Sequence, residues 1–194
     1  MGSDDQLRDA MAKTMSGFAA VVAPLGAEHW HLPSPCTGWS VLDVVDHVVT
    51  GERFTVEVLS GASLAEAVEA QAGLDPNNAD VVGQVTGAAA AALAAFDGSL
   101  DRIVEHRVGP ISARRMLGFR IIDQLGHTWD VSTSTRQPVA LDPEALAVGV
   151  EIALAERETL ERSPNFATSP DDRVETGDPL MTFLRAIGRA ITEA

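Results

Sequence analysis

Apolar residues recur at spacings of three and four over most of this chain. In the first segment Leu7, Met11, Met15, Phe18 and Val22 share one face of a helix turning about 100° per residue, which predicts an amphipathic helix from about Asp5 to Val22. The pattern stops near Pro24 and Gly26. Ser40 followed by Asp43 has the form of a capping box, in which the hydroxyl accepts the amide three residues on and the carboxylate faces the helix start. A second helix is therefore expected from about Val41 to Leu59. Between the two, GAEHWHLPSPCTGW carries two prolines, two tryptophans and small polar residues, and it reads as an ordered loop that packs by its tryptophans.

Ser63 to Ala70 adds a short helical piece before the turn LDPNN. The run VVGQVTGAAAAALAAF predicts a helix from about Ala79 to Phe96, because alanine is the strongest helix former. DRIVEHRVGP, residues 101–110, alternates in polarity and ends at Gly-Pro, as a connector of extended character does. Ser112 or a neighbour starts a long helix through about Ser132, and Asp142 with Pro143 at the first helical position starts another to about Arg162. SPNFATSPDDRVETGDP is coil by composition, and Leu180 to Ile191 returns to a helical pattern. Several substantial helices without a repeat point to an all-α fold. The expected architecture is one antiparallel helical bundle domain over residues 1–194, with a few long connections and short extra helices.

Composition narrows the partners. A chain of 194 residues, 45% of them hydrophobic, is long enough for one sizeable core. The 28 Asp plus Glu outnumber 14 scattered Lys plus Arg, which argues against nucleic acid or an anionic membrane surface as a partner. No stretch is apolar over the roughly 18 residues a membrane span needs. The N-terminus has no basic region followed by an apolar one, so a cytoplasmic location is expected. Cys36 is the single cysteine, which excludes an intrachain disulfide. The composition fits a monomer and a homodimer equally well.

Three side chains on two of the expected helices suit a metal ion: His47 in DVVDHVV, and Asp123 with His127 in DQLGHTWD. Asp123 and His127 are one helical turn apart and project from the same face. Two imidazoles and a carboxylate suit Zn(II) or a similar divalent ion and leave a fourth position open. Taken separately, His47 also reads as a hydrogen-bonded core histidine and the Asp-His pair as a charge-assisted helix pair. His47 lies in line with Val44, Gly51, Phe54 and Val58, however, and Asp123 lines up with Met116, Phe119 and Gly126, so both helices turn polar groups inward. Bundles build metal sites from facing helices in this way. Asp130, two turns beyond Asp123, is readable as a fourth ligand, as an acceptor that holds an imidazole N–H, or as a solvated helix residue.

The other candidates have plainer readings. Cys36 is expected to pack as a small hydrophobe, with a role as nucleophile or metal ligand as the alternative, and Trp39 and Trp129 as packing residues near the site. His29 and His31 are expected at the surface or in loop packing, and His106 as a solvated or strand-edge residue. Arg114, Arg115 and Arg120 are expected as solvated helix-face arginines, with an anionic ligand as the alternative.

PCTGWSVLDVVDHVV and DQLGHTWDV together resemble the DinB-like metalloprotein superfamily, in particular the branch of the mycothiol-dependent maleylpyruvate isomerase N-terminal domain, over roughly residues 5–160. The resemblance implies a four-helix bundle with a long crossover connection and a metal held by His47, Asp123 and His127, with zinc expected and nickel the alternative. The isomerase has a glutamate where this chain has Asp123. The resemblance also implies mycothiol or another low-molecular-weight thiol as cosubstrate, and a transferase or isomerase reaction on a small electrophilic substrate, with Asp130 or a water as the catalytic group that manages protons. The alternatives are a non-catalytic bundle that binds a small ligand or partner, and a metal hydrolase that uses no thiol.

Overall fold

The computed structural model describes residues 2–76, 80–162 and 176–189. Side-chain caps taken directly from the sequence open most of the helices. Ser3 and Gln6 form a capping box for α1 (Asp4–Val22), Ser40 and Asp43 for α2 (Val41–Leu59), and Ser63 and Glu66 for the short α3 (Leu64–Glu69). Asp80 caps α4 (Val81–Ala95). Two short strands, β1 (Ile103–Val104) and β2 (Ile111–Ser112), pair antiparallel with Ile103 opposite Ser112. Ser112 then caps α5 (Ala113–Thr135), and Asp142 caps α6 (Pro143–Ala155). The short α7 (Arg157–Glu161) follows, and Asp178 caps α8 (Pro179–Ala186).

Side-chain bonds fix the helix directions. Arg114, near the start of α5, pairs with Asp4 at the start of α1, and Gln137, just past the end of α5, donates to the carbonyl of Val21 near the end of α1. Those two helices run parallel. Arg8 on α1 donates to the carbonyl of Phe96 at the end of α4, so α4 runs against α1. His47 meets Asp123 and Glu52 meets Arg120, so α2 runs against α5. It follows that α2 and α4 are parallel neighbours, and only a crossover can join them; residues 60–80, including α3, supply it. The ring α1, α4, α2, α5 is a four-helix bundle, with α6 against α1 and α5 and α8 against α6.

The core divides into two clusters. Leu7, Met11, Leu117, Ile121, Leu125 and Phe183 belong to one, with α6 and α8 contributing, while Phe18, Val41, Val45, Val48 and Val85 belong to the other around α2 and α4. Because α1, α2 and α6 all pack against α5, its buried residues lie all round it and include Arg120, Gln124, His127 and Asp130.

The all-α expectation holds. Helices α1 to α5 begin and end within about three residues of their predicted limits, and the extended connector is the β1–β2 hairpin. The single helix expected from Asp142 to Arg162 is instead broken at Glu156, which sits at φ −97°, ψ 6°. No proline or glycine marks that point; Arg115 grips the Glu156 carboxylate there with two bonds of 2.6 Å. The expected coil is outside the described residues over 163–175, as are the two asparagines of LDPNN and the last part of the predicted C-terminal helix.

Candidate metal centre

Asp123 and His127 stand one turn apart on α5 and face His47 on the antiparallel α2. One oxygen serves both imidazoles: Asp123 Oδ1 lies 3.2 Å from His47 Nε2 and 3.4 Å from His127 Nε2. At a tetrahedral centre with bonds of about 2.1 Å, neighbouring ligand atoms stand about 3.4 Å apart. The three atoms therefore suit a single small divalent ion. Asp123 Oδ2 is engaged elsewhere, accepting from Arg120 Nη1 at 2.9 Å, so the carboxylate presents one oxygen to the site. The short aspartate side chain reaches both imidazoles in this arrangement.

The surrounding charges are buried and interlocked. Glu52 Oε1 accepts from Arg120 Nε at 3.1 Å, Arg120 Nη2 at 2.7 Å and Gln124 Nε2 at 2.6 Å, while Glu52 Oε2 has no hydrogen-bond partner among the described residues. A Cβ on Gly51 would stand 2.7 Å from Arg120 Nη1, so only glycine lets the guanidinium cross α2 this closely. Burial pushes the Asp123 carboxyl up, but the Arg120 charge and the two imidazoles outweigh it and hold it well below the usual carboxylate range. For His127 burial works downward, and Asp123 and Asp130 outweigh it, so without a metal this imidazole takes a proton well above its ordinary range. Three carboxylates, Glu52, Asp123 and Asp130, thus face two guanidiniums, Arg120 and Arg189. The remaining negative charge suits either an imidazolium or a divalent cation.

Asp130 is fully buried, not solvated, and its Oδ2 lies 2.9 Å from His127 Nδ1. With the proton on Nδ1, His127 Nε2 carries the lone pair turned toward Asp123. Cys36, His127 and Asp130 form a second group with ligand atoms close enough for an ion. Arg189 already fills that position: it donates to both Asp130 oxygens, at 2.9 and 2.7 Å, and its Nη2 is 3.2 Å from Cys36 Sγ. A guanidinium there opposes a second cation, which leaves His47, Asp123 and His127 as the better ligand set.

The PCTGW segment closes one side. Gly38, at φ 80°, holds the third position of a turn in which the Trp39 N–H donates to the Cys36 carbonyl at 3.0 Å. The turn lays Trp39 over both imidazoles, with ring centroids 5.0 Å from His47 and 6.1 Å from His127. Beside His47 and Asp123 a pocket of about 210 Å³ opens, lined also by Phe54, His106, Met116 and Phe119 among others. His47 is the most open of the three candidate ligands, with 32% of its side chain exposed against 13% for Asp123 and 7% for His127.

Several residues depart from their sequence reading. Arg120 is buried and paired, not solvated, and Arg115 is tied to Glu156. Cys36 bonds to charged groups beside the site instead of packing as a plain hydrophobe. His106 lies half-buried between Phe54 and Phe119, with ring centroids 6.1 and 5.4 Å away. Burial, with the charges of Arg107, Arg115 and Arg120, lowers its pKa to about 4. His29 and His31 keep their sequence reading: His29 accepts from Gly26 N–H within its loop, and His31 is exposed. Glu52 was missed altogether, although a carboxylate four residues after Val48 on the apolar stripe was a readable signal. Arg189 had no such signal.

The family described as the mycothiol maleylpyruvate isomerase N-terminal domain matches residues 11–132. The chain belongs to this family. Two uncharacterized proteins of Mycobacterium tuberculosis, from strains CDC 1551 / Oshkosh and H37Rv, are each 29% identical over 135 residues, which is 70% of this chain and 70% of the relative. No solved structure matches the chain at a significant level. The matched region contains Cys36, His47, Asp123, His127 and Asp130, and it stops short of α6, α7, α8 and Arg189.

Proposed function

We propose that this protein is a divalent-metal enzyme that uses a low-molecular-weight thiol, mycothiol being the first candidate, to transfer to or isomerise a small electrophilic substrate. His47, Asp123 and His127 hold the metal, with zinc the first choice and nickel the second. The observation that carries the reading is the single Asp123 oxygen held 3.2 and 3.4 Å from two imidazole nitrogens while Arg120 occupies the other oxygen. Family membership supports the thiol. When bound, such an ion lowers the pKa of a coordinated thiol or water and polarises a carbonyl.

The chain's own groups divide the remaining work. The pocket beside His47 and Asp123, walled by Phe54, Met116 and Phe119, orients a small substrate and excludes water from it. Trp39 packs against both imidazoles. Asp130, buried and bonded to both Arg189 and His127, keeps the imidazole proton on Nδ1 in this reading.

Metal analysis of the purified protein, followed by a panel of electrophiles with and without mycothiol, tests the proposal. The expected result is about one zinc or nickel per chain and thiol-dependent turnover. A folded protein purified metal-free from metal-replete medium would overturn it, and turnover without any thiol would replace it with hydrolysis.

A further inference from the structure

Helix α8 lies far along the chain from the ligand helices, yet it ends in the wall of their site. Gly188, at φ 74°, terminates it: the Arg189 N–H donates to the Leu184 carbonyl at 2.8 Å and the Gly188 N–H to the Arg185 carbonyl at 3.1 Å. This is a Schellman closure, which needs a left-handed residue after the helix end and turns the next residue back. Just before it, Ile187 seats against α5 at Gly126, where a Cβ would stand 2.9 Å from Ile187 Cδ1. Gly126 is the neighbour of His127. The close approach sets Arg189 beside Asp130, with only 7% of its side chain exposed.

The guanidinium meets Asp130 as a fork, Nε to Oδ1 at 2.9 Å and Nη2 to Oδ2 at 2.7 Å. Two parallel bonds fix the plane of a carboxylate where one would leave it free to turn. Asp130 Oδ2 also takes the Nδ1 side of His127 at 2.9 Å, so the plane of the carboxylate sets the plane of the imidazole. Nη2 further reaches Cys36 Sγ at 3.2 Å, tying down the turn that carries Trp39.

We infer that Arg189 is a positioning residue of the metal centre, supplied by the C-terminal segment beyond the family match, and that it acts through Asp130 to aim His127 Nε2 at the ion. The inference rests on the metal reading above.

The test is zinc affinity of the full chain, measured by competition with a chromophoric chelator. The expected result for Arg189→Met is affinity weakened about 10- to 100-fold with unchanged far-UV circular dichroism, the range typical of groups that orient a ligand. In an Asp130→Asn background the same substitution should cost little more, since the path runs through Asp130; a general packing role would give additive losses. If Arg189→Met does not fold, Arg189→Lys carries the test, because it keeps the charge and loses the fork, and a severalfold loss is expected. A folded Arg189→Met within about twofold of the unsubstituted protein, an Arg189→Lys within the same margin when it alone folds, or additive losses with Asp130→Asn would overturn the inference. If the unsubstituted protein itself takes up no zinc or nickel, the metal reading fails first and the inference falls with it.

Discussion

Replacing Arg120 by methionine probes the charge network under the site most directly. The substitution keeps much of the side-chain volume and removes two bonds to Glu52 Oε1, at 3.1 and 2.7 Å, one to Asp123 Oδ2, at 2.9 Å, and a longer one to the Val48 carbonyl, at 3.4 Å. Glu52 is 1% exposed and, among the described residues, its Oε2 is already without a hydrogen-bond partner, so the Gln124 amide would be its one remaining donor there. Stranding one charge of a buried pair costs about 3–5 kcal/mol, several times the worth of a surface pair. For a chain of this size each kcal/mol moves Tm by roughly 2–4 °C, which puts the expected drop at roughly 6–20 °C. Urea denaturation of metal-free protein, followed by circular dichroism, measures the loss directly. Adding Glu52→Gln to Arg120→Met should restore part of the stability, because it removes the stranded charge. A loss below about 1 kcal/mol, or no rescue by the second substitution, would refute the view that Arg120 neutralises a buried carboxylate.

Other expectations follow from the same geometry. His47→Ala and His127→Ala should each lose bound metal, measured by elemental analysis; retention of about one ion per chain in both would remove the proposed ligand set. His106, with a folded pKa of about 4 against about 6.5 unfolded, takes up its proton more readily when the chain unfolds. Its contribution is therefore present above about pH 6.5 and is lost as pH falls toward 4. The full linkage would be about 3 kcal/mol, which partial exposure cuts to about 1–2 kcal/mol. His106→Gln should flatten the stability profile between pH 6.5 and 4 by that amount, and an unchanged slope would contradict it. Phe183→Ala empties a fully buried position on α8 that packs close to Gly149 of α6, and it should cost about 3–5 kcal/mol in chemical denaturation. A near-neutral result would mean that α8 does not dock as described.

The sequence by itself determined most helix starts and the three candidate ligands on α2 and α5, because both are short-range matters. Ser3, Ser40, Ser63, Ser112 and Asp142 cap the helices that follow them through bonds to residues two to three positions on. Asp123 and His127 were legible as a pair from their spacing, and His47 from its place on an apolar stripe. What only the tertiary structure decided is which charges lie inside. Arg120 reads as a solvated arginine until α2, running antiparallel, brings Glu52 against it. Cys36 reads as a small hydrophobe until Asp130 and Arg189 meet it from two other elements. Arg189 has no local signal, since its place beside Asp130 depends on the end of α8 reaching Gly126 from 61 positions along the chain. Whether a helix-face charge is solvated or buried depends on the partner that another segment presents, and local sequence does not contain that partner.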